Sequence, residues 1–226
     1  VDKIPFTTYD FWAYLSSGFL LLFIVDVVGP TDILAKVNWS FVQIIVAVSA
    51  AYAVGHIVAH LSSLLLERGL VEKVLGPPRA ALFGHPRAPR WIRALLPGYF
   101  KALPNEIAQN ALARAKAAGV SDAGQAMFQL AFHNARNNPV VLARIDNFLN
   151  LYGFCRNIAL VCLIDAAILY ANYRWFRGPD DHYWWSLVAL VMGIGMVARY
   201  LKFFRHFSYE IFTAYGSESP APNVHK

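Results

Sequence analysis

Four stretches of this chain are each apolar over the roughly twenty residues that a helix needs to cross a bilayer, which leaves few folds open. They run from about Phe11 to Val28, Ser40 to Leu66, Leu151 to Tyr173 and Tyr183 to Phe204. Inside lipid every backbone N–H and C=O has to be satisfied by the protein itself, so segments of this length and character are helices. Of the 226 residues 57% are hydrophobic and 15% charged, a balance too apolar for an ordinary soluble domain. The expected fold is all-α: a polytopic membrane protein with four transmembrane helices and a small helical cytoplasmic domain between the second and third. The first stretch has the apolar core of a secretory signal, but that core is long. Asp2 and Asp10 dilute its basic flank and a second span follows closely, so a retained anchor is expected.

Lys and Arg set the orientation. Between Glu67 and Phe148 there are eleven basic and five acidic residues. Arg68, Lys73, Arg79, Arg87, Arg90, Arg93 and Lys101 lie near the second span, Arg136 and Arg144 near the third, and Lys202 and Arg205 follow the fourth. The opposite loops hold Lys36, Arg174 and Arg177, offset by Asp32, Asp180 and Asp181. The positive-inside rule then places both termini and the middle segment in the cytoplasm, in an inner or plasma membrane. The formal net charge of +6 is accounted for by orientation and anionic lipid head groups; no nucleic-acid module pattern is present. Cys155 and Cys162 are about 10 Å apart along one helix, too far for a disulfide.

The spacing predicts an N-terminal hairpin (residues 1–66), a basic, Pro-rich and then helical segment (67–138), a C-terminal hairpin with cytoplasmic helical extensions (139–216) and a disordered tail (217–226). Gly76 to Pro104 is broken by Pro and Gly. Within it Arg87, Arg90, Trp91, Arg93 and Lys101 interleave bases with aromatics, a candidate contact for lipid head groups or a partner. Asn105-Glu106 opens a helix that Gly119 closes, and Ser121-Asp122 can cap another. Asn138-Pro139 reads as a cap followed by proline at the first helical position. Gly216 is expected to stop the last helix.

The second span carries two four-residue rhythms. Ala47, Ala51, Gly55, Ala59 and Ser63 form a ladder of small residues, which in lipid lets another helix approach closely. Tyr52, His56 and His60 run beside it. Histidines at bilayer depth are costly unless paired or turned to a bundle interior or water. Asp165 lies at a comparable depth in the third span, so a His56–Asp165 pair is expected, whether as a structural bond, a proton relay or a polar constriction. Arg156 and Arg199 are shallow enough to snorkel, with Asp10 as a plausible partner, and Asp26 is expected to be solvated. These residues, Tyr52, His56, His60, Arg156, Asp165 and Arg199, are the candidate intramembrane polar cluster.

An HxxxH pair supplies two metal ligands at most. Here Ile57, Val58 and Ala59 replace the acid that a metalloprotease helix carries between them, and no third ligand is evident, so neither metal nor other cofactor is expected. No phosphate loop, nucleophile elbow, inverted repeat or selectivity filter is visible, and His133 reads as a helix-surface residue. The expectation is therefore not an enzyme. It is a membrane protein that self-assembles through small-residue helix faces, as a channel, pore or membrane-perturbing effector gated by its cytoplasmic region. The alternative is a scaffold or accessory subunit docked on a partner membrane protein, and a metal-dependent membrane enzyme ranks behind both.

Overall fold

The computed structural model describes residues 11–29, 33, 38–120 and 124–217. Asp2, Asp10, Asp32, Lys36, the Ser121-Asp122 cap and the tail beyond Ser217 lie outside the described residues, so Asp10 as an arginine partner does too. Among the described residues the chain is helical with no strand. A wide turn at Phe11–Leu15 leads into α1 (Ser16–Val28). Then follow α2 (Phe41–Ser62), α3 (Pro78–Leu82), α4 (Arg90–Leu95), α5 (Asn105–Ala117), α6 (Gln125–Ala135), α7 (Pro139–Trp175) and α8 (Asp181–Ser217).

Among the described residues three helices are long and apolar enough to cross a membrane: Phe41–Leu82, Pro139–Trp175 and Asp181–Ser217. The apolar helix Ala13–Val28 is shorter. The second helix does not end near Leu66 as the apolar run suggests. It continues from Ser63 to Leu75 in the wider i→i+5 form and closes at Gly76, whose N–H donates to Val71 O at 2.7 Å.

Local chemistry explains most of the boundaries. Ser40 and Gln43 form a reciprocal capping box at the start of α2, Gln43 N–H to Ser40 Oγ at 3.3 Å and Ser40 N–H to Gln43 Oε1 at 2.9 Å. Asn138 Oδ1 accepts from the N–H of Val140 at 3.1 Å ahead of α7. After α5, Gly119 takes φ +83° while the Val120 N–H returns to Ala115 O at 2.9 Å, which is the Schellman closure. The last helix is described as far as Ser217, the residue after Gly216. Gly216 also permits close approach: a β-carbon there would sit 2.5 Å from Ile107 O.

The chain divides into two compact units, one of residues through Arg68 with Asn150–Tyr200, the other of Gly69–Leu149 with residues from Leu201. In the first, α1 lies on α2, and α7 is the enclosed helix: Asn157, Ala159 and Val161 are fully buried and Ile158, Leu160, Cys162, Ala166 and Leu169 nearly so. The outer faces of α2 and α8 stay open, with Phe41, Val46, Ile57, Trp184, Val191 and Ile194 all exposed. Open apolar faces of this extent suit a lipid surrounding, and the chain is membrane-associated on that ground together with helix length. The second unit has its own core. Phe207, Ile211, Phe212 and Tyr215 of α8 pack with Ala111 and Ala115 of α5, Met127, Ala131 and Ala135 of α6, and Leu82, Leu103 and Ile145.

Candidate functional site

Polar side chains enclosed by the first unit form a connected cluster at Ser62. Its hydroxyl donates to Asn157 Oδ1 at 2.7 Å and accepts from Arg156 Nε at 3.0 Å. Arg156 also donates through a terminal nitrogen to Glu67 Oε2 at 2.6 Å, and the Ser63 hydroxyl donates to the same oxygen at 3.3 Å. Asn157 Nδ2 reaches Ala13 O at 3.5 Å. Ser62 and Asn157 have no exposed surface. The cluster therefore pins the turn before α1, the end of α2 and the middle of α7 to one another. The Arg156–Glu67 pair is half-buried, and such a pair repays its desolvation when additional hydrogen bonds complete it.

Arg156 has Glu67, one turn beyond the end of α2, as a partner. Arg199, on α8, is exposed. Asn157 went unmarked in the sequence reading. Its signal was an amide within an otherwise apolar helix, the kind of residue that glues membrane helices together.

The small-residue ladder meets the chain's own first helix. A β-carbon at Gly55 would overlap the Tyr14 carbonyl, and one at Gly18 would overlap the Ala51 carbonyl and lie 2.7 Å from Gly55 N. Ala51, Gly55 and Ala59 are buried, whereas Ala47 and Ser63 are only half-buried. At about 100° per residue, a strict four-residue step drifts about 40° each time, so the ends of the ladder turn about 160° apart. The buried stripe follows the true period instead: Ala51, Gly55, Val58, Ala59, Ser62. A second copy of the chain cannot take this face while α1 occupies it.

Both histidines are exposed. His56 stacks on Tyr14, centroids 4.2 Å apart and planes 21° apart, and takes Tyr52 edge-on at 4.6 Å. The expected His56–Asp165 pair is not formed: the imidazole is held by tyrosine rings, while Asp165, 5% exposed, has an oxygen with no hydrogen-bond partner. Asp26 is not solvated either. It is 8% exposed and accepts the Ile33 N–H at 2.9 Å, at the edge of a cleft of about 430 Å³ between α1 and α2. Toward the other end of α7, Asn172 Oδ1 lies 3.0 Å from His182 Nδ1 in the first turn of α8.

Among the described residues no three His, Cys, Asp or Glu side chains converge as metal ligands. In the second unit His133 is exposed. Of the basic–aromatic set there, Arg87, Arg90, Trp91 and Lys101 are exposed and Arg93 half-buried, and the Lys101 carbonyl accepts from Arg205 at 2.7 Å. Comparison of the chain with protein families, curated proteins and solved structures finds no match, so its chemistry has to be read from these side chains alone.

Proposed function

We propose that this is a four-span membrane protein of the channel or pore class, held closed in the conformation described, with its middle helical unit and both termini on the cytoplasmic side of the inner or plasma membrane. The Phe11–Leu15 turn with α1 extends roughly 27 Å at helical rise, enough for a thin bilayer, which supports counting it as the first span.

The observation that carries the reading is Asp165. A carboxyl group enclosed in a membrane helix with an unmet oxygen is costly, and such residues mark ion or proton pathways. It lies about 12 Å along α7 from the Asn157 cluster and about 10 Å from Asn172, and the three residues fall within about 80° around the helix. They make a file of polar stations on one face, through which a proton or small cation meets Asp165 midway. Self-assembly through the ladder is not part of this reading, because α1 already fills that face. Liposome flux is the test. Purified protein should pass protons or small cations, and Asp165→Asn should abolish that passage; vesicles no leakier than protein-free controls would end the pore reading.

One observation favours the alternative of a scaffold or accessory subunit: the Ser62–Asn157–Arg156–Glu67 cluster leaves none of its buried side-chain atoms without a hydrogen-bond partner, as a purely structural clamp would. Purification in mild detergent separates the two readings, since a subunit arrives with a stoichiometric partner.

A further inference from the structure

The second unit presents a surface that conduction does not use. From Val74 to Asn105 the chain has no acidic residue and five basic ones, Arg79, Arg87, Arg90, Arg93 and Lys101. Within that stretch α4 has one inward residue, Ile92, 6% exposed. Trp91 and Leu95, four residues apart and so on one side of the helix, are 69% and 72% exposed. A tryptophan and a leucine this open, on a single helical turn, are what a soluble surface avoids.

The backbone around α4 is fastened. Tyr99, 4% exposed, donates its hydroxyl to Gly76 O at 2.9 Å, and burial pushes its phenol up, so it stays a neutral donor. Arg205 holds the Lys101 carbonyl at 2.7 Å, and the Leu103 N–H donates to Leu82 O at 2.9 Å. The stem of Arg87 rests against Gly76, where an added β-carbon would come within 3.0 Å of it. These ties hold Trp91 and Leu95 outward and leave Arg87, Arg90 and Lys101 around them as uncompensated charge; among the described residues none of the three makes an ion pair.

We propose that α4 and its basic flanks form an anionic-lipid-reading surface, which seats Trp91 and Leu95 at the head-group boundary while Arg87, Arg90 and Lys101 engage lipid phosphates. The occupant follows from charge complementarity and from the chain itself, whose apolar helices are long enough to bring it to a bilayer. The inference rests on the membrane reading of the spans and not on conduction. Basic residues beside an anionic leaflet each contribute about fivefold to its preference over a neutral one, and tryptophan favours this depth.

Hydrogen exchange of the full chain in nanodiscs tests it. The amides of residues 90–96 should exchange more slowly in discs containing phosphatidylglycerol than in pure phosphatidylcholine. Arg90→Gln and Lys101→Gln together should remove most of that difference, and Trp91→Ala should reduce it. Slow exchange of Met127 to Ala135 reports that the unit is still folded in each variant. Equal exchange in the two lipids overturns the proposal. So does protection by inorganic phosphate alone in neutral discs, which assigns a free-anion site, or protection that appears only with a protein partner. Failure of the liposome flux test leaves this result untouched, and the converse also holds.

Discussion

At Gly55 there is no room for a methyl group. The helix backbone of α2 comes so close to Tyr14 that a β-carbon added at Gly55 meets the Tyr14 carbonyl, which is backbone and cannot rotate away. Gly55→Ala should therefore destabilise the first unit by about 1–3 kcal/mol, the usual range for overpacking a tight contact. Gly195→Ala is the control, because nothing lies within 4 Å of a β-carbon there. Thermal unfolding in detergent compares the two, and equal midpoints would mean that α1 does not occupy the ladder in solution. The sequence showed that this face admits close approach, since small residues at helical spacing have that consequence whatever the partner. It could not say which helix approaches, because the spacing records only the receiving side. Asp165 was legible as a costly group, but its surroundings were not. The pairing with His56 failed because Tyr14, from a segment distant in sequence, supplies the ring on which that imidazole rests.

Elements were legible where their ends are fixed by neighbours in the chain. Asn138 with Pro139 opens a helix and Gly119 closes one through bonds spanning a few residues, and each uses the chemistry its residue type provides; the box of Ser40 and Gln43 works in the same way but is visible only in the structure. The continuation of α2 beyond Leu66 was not legible. The apolar run ends at Glu67-Arg68, and the helix persists because Glu67 is tied to Arg156, 89 positions away. The cap of α2 makes a prediction at this scale. Ser40→Ala should cost about 1 kcal/mol and loosen the first turn. Gln43→Ala should add less when combined with it than it costs alone, because the two side chains satisfy one reciprocal pair of donors. Amide exchange at Val42 to Ile44 measures the loosening. Strictly additive effects would show that the box does not hold the end of the helix.

For the whole molecule the consequential fact is two cores built on different principles. The first unit is joined by backbone proximity and a polar cluster, with its outer faces left for lipid. The second is packed like a water-soluble domain, around a T-shaped contact of Phe83 on Phe212 at 4.9 Å and the ring of Phe128 at 5.9 Å. Phe212 has no exposed surface, so Phe212→Ala should cost about 3–5 kcal/mol through lost burial and the cavity left behind. Amides of α5 and α6 should then exchange faster in the variant, while those from Asn157 to Ala166 keep the rates of the parent chain. That separation is what a regulatory unit requires, because a ligand can act on one body only if the other does not melt with it. If exchange rises equally in both stretches, the chain unfolds as one cooperative block and the two cores are not independent.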